Sequence, residues 1–589
     1  MMENDSGAII SYSSLLRCVA RAKELLLLKT GKSDNSISGE RIAFIIENGL
    51  DYVGLNTQPA VTLMAILASN AIAVPLAPSF ALPELRYIID ESEAFVLISS
   101  KRFSAKANEV LSDGLTKLPI FYELDEMGNA STDERDIALC EFSEECCGGM
   151  MLFTSGTTAR PKGVVLSLAN LTAQASSLLE AWQYSPNDRL LHVLPLHHIH
   201  GTVNALLTPL LAGSSIEFMH PFNAHSVWTR LAAPFLKEAR VSCDVFEKIA
   251  DDTEDVIKIP ITFFTAVPTI WSRLLRTWES FSPKMQKACK EAVSPINLRL
   301  NISGSAALPK PIRDGWTKLS GGNLLLERYG MTEVGMALSC GLGEVDRVDG
   351  SVGWPLPSVE VRLMEIDDVT GAQSVIPHGA EIDPDSGKER SGEIQLRGPT
   401  IFKGYWRNDE ATTKEFTTDG WFKTGDIAVR RKVPGSGLGK SGSWAQGPAY
   451  FIGGRRSVDI IKTGGEKVSA LEIEREILAL PQIEECAVVG LPSETWGQKI
   501  VAVIVLSERS QNDGEPMSLQ RLRDTLKNRI TAYKIPQDME IVDILPRNAM
   551  GKINKKGLIT TVFGGIESIR RRSVDLGKRR GAAMGTTAS

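Results

Sequence analysis

The alternation of short apolar clusters with longer segments of helical periodicity constrains the fold of this chain more than any other feature. Residues 42–46, 95–98, 190–194 and 261–264 are apolar runs bounded by polar or turn residues, which is typical of buried strands. Segments with helical spacing, such as residues 12–28, separate them. This pattern predicts an α/β architecture with largely parallel sheets.

The pattern restarts near residue 454, which predicts a second domain. Strands are expected at 458–462, 486–490, 499–506 and 540–544, and helices at 470–479 and 519–530. With 589 residues the chain is long enough for several domains. We expect a large N-terminal domain over 1–453, a smaller C-terminal domain over 454–560, and a disordered basic tail over 561–589.

Two stretches look like insertions. Residues 237–257 are rich in charge, and residues 432–448 are rich in Gly and Ser. The second composition predicts a flexible surface loop.

Composition excludes some function classes. With 65 Lys and Arg against 71 Asp and Glu, the net charge of −6 provides no global cationic field for nucleic acid or an anionic membrane. No apolar run approaches the roughly 18 residues of a membrane span. The eight cysteines form no C-x-x-C pair, and the first residues resemble no secretory signal. We expect a cytoplasmic protein, with mitochondrial and peroxisomal locations left open.

The stretch LFTSGTTARPKGV, residues 152–164, is the most informative motif. Gly156 lets backbone amides approach an anion, and Lys162 adds a mobile positive charge. A Walker A loop requires Gly-Lys followed by Ser or Thr, but Pro161 precedes Lys162 and Gly163 follows it. The pattern therefore predicts a phosphate site of another kind, or else a polar surface loop. The hydroxyl groups of this stretch belong to Thr154, Ser155, Thr157 and Thr158.

This stretch resembles the phosphate loop of the adenylate-forming superfamily, which includes acyl-CoA synthetases, adenylation domains and luciferases. Ala159 stands where the family commonly has Gly. Four further motifs resemble the family's in its order: YGMTE at 329–333, WFKTGD at 421–426, GRRSVDIIK at 454–462 and PRNAMGK at 546–552. The resemblance covers roughly residues 9–558. It implies a large N-terminal multi-sheet domain with a smaller, mobile C-terminal α+β domain.

The resemblance also implies ATP, Mg²⁺ and coenzyme A as reactants and cofactor. It places Thr332 on the α-phosphate, Glu333 on Mg²⁺, and Asp426 and Arg455 on the ribose. Lys552 becomes the catalytic lysine that neutralises charge developing between the acid and the α-phosphate. The rest of the implied nucleotide site is Ser305, Ala306, Glu327, Arg328, Tyr329, Gly330 and Met331.

A second half-reaction would transfer the acyl group to a thiol. In the family the small domain rotates about a hinge between the two steps, and the hinge position here is Ser457, where the family often has Asp. The resemblance places Lys462, Gly464 and Gly465 along the pantetheine arm.

The run LPLHHIHG, residues 194–201, concentrates histidines and admits three interpretations. A zinc site is one, although no Cys or carboxylate lies within the run to complete a tetrahedron. Polar capping of a strand end is the second. The third follows from the resemblance, in which this motif closes the acyl pocket, lined by His198, Ile199, His200 and Met331.

Residues 194–210, 298–309 and 325–333 are most similar to the malonyl-CoA synthetase branch. A dicarboxylate needs a cation for its second charge, because an unpaired buried carboxylate is costly. Arg299 is the candidate cation, with His200 beside it, and a structural role for Arg299 is the alternative.

The leading hypothesis is ATP-dependent ligation of malonate to coenzyme A, giving malonyl-CoA, AMP and diphosphate. Alternatives keep the chemistry with another acid, such as methylmalonate, oxalate or a coumarate-like aryl acid, or load the acyl group onto a carrier protein. A non-catalytic nucleotide-binding homologue and a luciferase-like oxidative step are more distant alternatives. The expected partners are a small carboxylate and coenzyme A, without nucleic acid.

Overall fold

The computed structural model describes most of the chain. The described residues are 2–3, 9–47, 62–112, 114–124, 147–154, 160–236, 258–367, 370–464, 466–493, 495–507, 517–547 and 553–564. The charged insertion at 237–257 and the end of the basic tail lie outside them.

A mainly parallel sheet carries much of the large N-terminal part. In spatial order its strands are Met2–Glu3, Ser215–Phe218, Arg189–His192, Phe263–Ala266, Leu300–Ser303, Leu326–Met331, Gly335–Ser339 and Trp354–Pro355. Pairing is parallel as far as Leu326–Met331 and antiparallel beyond it. Because parallel strands share an edge at their carboxyl ends, the loops that follow them meet there, and such edges are where α/β sheets bind ligands.

Two further sheets complete this part. The strands of the second, in spatial order, are Ile120–Glu123, Val96–Ser99, Arg41–Ile45, Ile72–Pro75, Gly149–Thr154 and Lys162–Ser167. Those of the third, an antiparallel sheet, are Gln373–Val375, Glu360–Ile366, Gly392–Arg397, Phe422–Arg431 and Ala449–Arg455. The last pair of the second sheet is an antiparallel hairpin, which positions both ends of the 152–164 motif.

Helices cover the parallel sheets. The α-helices of the N-terminal part are Tyr12–Thr30, Asp34–Ile37, Thr62–Ala68, Leu82–Ser92, Ser104–Leu111, Leu168–Trp182, Thr208–Leu211, Ala224–Ala232, Pro268–Trp278, Pro283–Ala292, Lys310–Leu319 and Asp409–Glu415. Short 3₁₀ turns lie at Lys101–Phe103, Ala233–Phe235 and Glu344–Asp346, and a π-helix at His200–Leu207.

The first long helix shows how sequence dictates such an element. Ser11 caps the helix Tyr12–Thr30 by accepting a hydrogen bond from the amide of Ser14, and Gly31 ends it in a left-handed conformation. Its buried residues recur every three or four positions, so one face packs into the core. These buried residues are Leu15, Cys18, Ala22 and Leu26.

The chain then enters a separate C-terminal sheet, which we call the lid, residues 460–563. Its strands are Glu466–Ser469, Ile460–Thr463, Gly497–Leu506 and Ile483–Ser493, with Asp538–Ile541 pairing parallel to Gly497–Leu506. Its helices are Ala470–Leu478, Leu519–Leu526 and Lys555–Phe563, with a 3₁₀ turn at Ala532–Lys534. The change of sheet lies between Arg455 and Ile460, a few residues after the predicted boundary at 453 and 454.

The fold class is confirmed: a large multi-sheet N-terminal part and a smaller C-terminal α+β part. The predicted strands agree with the observed ones to within a few residues, as at Arg41–Ile45 and Phe263–Ala266. The strand Glu466–Ser469 was not predicted. Among the described residues, no helix is long and apolar enough to cross a bilayer.

The prediction of a flexible loop at 432–448 is contradicted by its contacts. The carboxylate of Asp346, itself fully buried, accepts hydrogen bonds from the Ser441 hydroxyl (2.6 Å) and the Gly437 amide (3.0 Å). Ala445 is fully buried and packs in a cluster with Trp354. The many glycines supply tight turns in a loop that docks on the large domain.

Candidate active site

The phosphate-loop motif is held at both ends by the hairpin of the second sheet. Thr154 ends one strand and pairs with Lys162, which begins the next. The Lys162 ammonium lies 4.7 Å from the ring centre of Tyr405. Ser155, Gly156, Thr157 and Thr158 lie outside the described residues. The hairpin therefore places Lys162 beside Thr154, at the two ends of the loop.

Glu333 lies beside this lysine. It follows Thr332 in the connection between Leu326–Met331 and Gly335–Ser339. Its Oε1 accepts a hydrogen bond of 3.1 Å from the Tyr405 hydroxyl. Burial raises the pKa of Glu333, while its hydrogen bonds and the charges of Arg455 and Lys162 oppose that shift. An oxygen ligand in such a place suits a hard divalent cation, so the residues present fit Mg²⁺.

The predicted ribose residues also come together. Asp426 and Arg455 face each other across neighbouring strands of the third sheet, with Nε 3.4 Å from Oδ1. The Tyr329 hydroxyl donates a hydrogen bond of 2.6 Å to the other carboxylate oxygen of Asp426. The arrangement leaves a half-exposed guanidinium and a fixed carboxylate at the entrance to the lid.

His200 begins the π-helix at the carboxyl edge of the parallel sheet. Its Nε2 lies 2.6 Å from the hydroxyl of Thr265, and its Nδ1 lies 3.4 Å from the hydroxyl of Ser305. Burial, followed by the charges of Arg328 and neighbouring histidines, holds the pKa of His200 well below its usual range. His200 is therefore a neutral hydrogen-bonding group at neutral pH.

Arg328 is the cation of this corner. Its side chain is 5% exposed, its Nη2 donates to the Ser305 hydroxyl (3.2 Å), and its Nε has no hydrogen-bond partner. Among the described residues it forms no ion pair with a carboxylate. Burial lowers its pKa to about 9. A Cβ on Gly304 would collide with this guanidinium, so the glycine makes room for it. Burying an unpaired cation costs free energy, and a bound anion would offset that cost.

The structure does not bring Arg299 to this corner, which contradicts its predicted contact with substrate. Arg299 precedes the strand Leu300–Ser303 and Ser305 follows it, so the two residues lie at opposite ends of a strand about 13 Å long at the usual rise per residue. Its Nε and Nη2 donate to Asp188 (2.7 and 2.6 Å). Its Nη1 and Nη2 also donate to the carbonyls of Trp182 and Gln183 (3.1 and 3.0 Å). The alternative left open by the sequence, a structural role, describes this geometry.

The other predicted pocket residues lie near His200 in the chain. The rings of His197 and His198 are 4.3 Å apart, and Phe80 contacts the edge of His197. Ile199 is buried, and Met331 ends the strand Leu326–Met331. Within the described part of the chain, no group of three or more His, Cys, Asp or Glu could hold a metal ion.

Glu327 lies on the same strand as Arg328 but faces the lid. Burial raises its pKa to about 7, and Arg475, Arg313 and Asp349 are the charges that act on it. Arg475 belongs to the lid helix Ala470–Leu478 and donates a hydrogen bond to Asp349 of the large domain.

Two further predicted nucleotide residues belong to the large domain. Ala306 lies in the loop after Ser305. Gly330 lies where the strand pairing shifts register.

The lid residues lie along its first strand. Ser457 lies in the turn before it, where the Asp459 carboxylate accepts the Arg455 amide (3.0 Å). The Lys462 amide donates to Gln498 (2.7 Å). Gly464 has a φ of 56° and donates its amide to the Trp496 carbonyl. Lys552 and Gly465 lie outside the described residues.

Sequence reasoning missed two residues of the site. Tyr405, which touches both Glu333 and Lys162, lies in a stretch that matches no quoted motif. Lys555 is buried between Asp459 (2.5 Å) and Glu474 (2.6 Å), and so ties the helix after Lys552 to the turn before the lid. Only its position three residues after Lys552 could have drawn attention to it.

Two family models match this chain. The model described as AMP-binding enzyme matches residues 4–406, and the one described as AMP-binding enzyme C-terminal domain matches residues 472–552.

Relatives match over nearly the whole length. A protein named CoA ligase from Gibberella moniliformis is 71% identical over 98% of this chain and 95% of its own. The mitochondrial malonate–CoA ligase ACSF3 of Homo sapiens is 36% identical over 93% of this chain and 88% of its own. The crystal structure of ATP-bound MatB from Rhodopseudomonas palustris is 28% identical, covers 95% of both chains and superposes with a TM-score of 0.72.

Proposed function

Because the chain belongs to the AMP-binding enzyme family and is an AMP-forming acid–CoA ligase, we propose that the acid it activates is malonate. The products would be malonyl-CoA, AMP and diphosphate. Relatives named malonate–CoA ligase, at 36% identity, support this proposal.

The observation that carries the proposal is Arg328, a buried guanidinium without a carboxylate partner among the described residues. Removing a charge from water costs several kcal/mol, and a paired, hydrogen-bonded anion is what offsets such a cost. A substrate carboxylate would supply that anion, and the Arg328 fork can bind it with two hydrogen bonds. Ser305 and the neutral His200 lie close enough to complete its hydrogen bonding.

The two ends of the acid would have different partners. One carboxylate would reach the α-phosphate, on the side of Thr332 and Glu333, while the second would meet Arg328. These residues belong to one strand, Leu326–Met331, and its following turn. The sequence predicts Arg328 on the nucleotide, but its link through the Ser305 hydroxyl to His200, a predicted acyl-pocket residue, instead favours the acyl side.

The remaining residues would bring two anions together. We expect Lys162 to hold the phosphates of ATP, and Asp426 with Arg455 to hold the ribose. Glu333 would hold Mg²⁺, which when bound screens the phosphate charges. Lys552 would stabilise charge developing between the carboxylate and the α-phosphate. Positioning and charge neutralisation account for most of such catalysis.

Diphosphate release across a panel of acids tests the proposal. Wild type, Arg328→Leu and the surface control Arg102→Leu, whose side chain is 73% exposed, would be assayed with malonate, methylmalonate, succinate, oxalate, acetate and 4-coumarate. Malonate should have the highest kcat/KM. Arg328→Leu should lose on the order of 10²–10³ in kcat/KM for malonate, since losing one partner of a buried charge pair costs about 2–5 kcal/mol.

Acetate, which has no second carboxylate, should lose far less. Malonate inert in the wild type, with another acid active, would refute the substrate. An equal loss for every acid in Arg328→Leu would refute the assigned contact. If the enzyme were active only with the phosphopantetheine of a carrier protein, that thiol and not free coenzyme A would be the acyl acceptor.

A further inference from the structure

One tyrosine connects the lysine of the phosphate loop with the predicted magnesium carboxylate. The Tyr405 hydroxyl donates to Glu333 Oε1 at 3.1 Å, and the Tyr405 ring lies under the Lys162 ammonium at 4.7 Å. No sequence motif and no comparison assigns Tyr405 a role. The two contacts use different parts of the side chain, the hydroxyl and the π face, so substitutions can separate them.

Tyr405 is itself held firmly. It is 9% exposed, its amide donates to the Thr412 hydroxyl (2.9 Å), and its backbone forms a bridge with Val164 in the phosphate-loop hairpin. Phe402 packs against its ring with centroids 5.0 Å apart. The next residue, Trp406, donates its amide to the Gly163 carbonyl (2.8 Å). Tyr405 is therefore a rigid part of the scaffold on which the phosphate hairpin rests.

The geometry has a chemical consequence for Glu333. The Tyr405 hydroxyl donates its hydrogen bond to Oε1, one of the two carboxylate oxygens of Glu333. The hydroxyl thus holds the carboxylate of Glu333 in one orientation, so that it meets a divalent cation in a fixed position.

The ring acts on Lys162 in another way. A cation over a tyrosine face is attracted by about 0.5–1 kcal/mol when exposed and more when desolvated. This attraction keeps a flexible ammonium close to the carboxylate of Glu333 before the nucleotide arrives. Less side-chain entropy is then lost on binding phosphate.

We propose that Tyr405 is a positioning residue that holds Glu333 and Lys162 in the arrangement receiving Mg²⁺ and ATP. The inference rests on the use of ATP in the proposed function and is independent of the identity of the acid. Tyr405 touches neither reacting atom and acts through its two neighbours.

Two substitutions separate the contacts. Tyr405→Phe removes the hydroxyl and keeps the ring, and Tyr405→Leu removes both. Tyr12→Phe is the matched control, since it deletes a hydroxyl that donates to the carbonyl of Ser214 (2.8 Å), which is not part of this hairpin. Isothermal titration calorimetry with ATP, in the presence and absence of Mg²⁺, measures binding without turnover. Thermal unfolding of each variant checks folding.

Tyr405→Phe should bind ATP as wild type does without Mg²⁺ and about tenfold or more weakly with it, because a hydrogen bond to a charged group is lost. Tyr405→Leu should also weaken binding of ATP alone.

Unchanged Mg²⁺-dependent binding in Tyr405→Phe would overturn the inference, as would a loss of thermal stability with no change in the Mg²⁺ dependence of ATP binding. If malonate proves inert while these binding changes occur, the substrate proposal fails and the role of Tyr405 stands.

Discussion

Arg299→Ala should destabilise the protein and leave its preference among acids unchanged. The Asp188 side chain is 3% exposed and receives two hydrogen bonds from Arg299, whose own side chain is 33% exposed. Burial raises the pKa of Asp188, but the Arg299 hydrogen bonds and charge outweigh it and hold this pKa below its usual value. Without Arg299, the carboxylate keeps its desolvation cost and loses its cation.

The size of the destabilisation follows from the burial of Asp188, which would remain charged without its cation. Removing one partner of a buried ion pair costs about 3–5 kcal/mol, and the partial exposure of Arg299 places the cost near the lower end, about 3 kcal/mol. Domains of 150–250 residues lose about 2–4 °C in Tm per kcal/mol, and larger ones lose less. The large domain exceeds that size, so we expect Tm to fall by no more than about 6 °C.

Differential scanning calorimetry and the acid panel together measure this prediction. The double variant Arg299→Ala/Asp188→Asn should be less destabilised than the sum of the two single variants, because the uncompensated charge is removed. Malonate should remain preferred in all three. An unchanged Tm with selective loss of malonate activity would show that Arg299 binds substrate and would refute its structural role.

Three further predictions concern the lid and its support. Burial raises the pKa of Glu327 to about 7, above its ordinary value of 4.5, so stability should decline as pH rises between these values; calorimetry should show a weaker decline in Glu327→Gln. Arg475→Ala removes the hydrogen bond to Asp349, and should increase hydrogen exchange in Ala470–Leu478 and slow diphosphate release, whereas unchanged exchange would contradict this contact. Asp346→Ala strands the buried Ser441 hydroxyl at a cost of about 1–3 kcal/mol, and limited proteolysis should then cut within 432–448.

The strands were predictable because burial on both faces forces continuous apolar runs. Arg41–Ile45 and Phe263–Ala266 are such strands, and both are recognisable without any contact information. The loop at 432–448 was not predictable in the same way. Its Gly and Ser content describes backbone freedom, whereas its order comes from Asp346, a residue nearly a hundred positions away. The composition of a segment does not indicate whether a distant residue will bind it.

The dependence on distant partners also explains why the sequence suggested Arg299 as the cation for the acid, whereas the structure favours Arg328. Both arginines lie in segments similar to one branch of the family, and residue type alone cannot distinguish a cation at the start of a strand from one at the far edge of the sheet. The distinction depends on Asp188, which satisfies Arg299, and on the lack of any such carboxylate beside Arg328 in the described residues. Ion pairing over a long sequence separation therefore decided the assignment. The residues predicted to bind the nucleotide, in contrast, lie in contiguous motifs.

The strand Leu326–Met331 shows why these assignments depend on each other. Successive side chains of a strand point to opposite faces, so Glu327 and Tyr329 share one face and Arg328 takes the other. Tyr329 donates to Asp426 and Glu327 lies among the charges of the lid interface, whereas Arg328 meets Ser305. If Arg328 turned toward the nucleotide, Tyr329 would have to leave Asp426. The hydrogen bond between Tyr329 and Asp426 thus helps to fix Arg328 beside Ser305. Under the proposed function, this alternation would link the acid preference to the predicted ribose site.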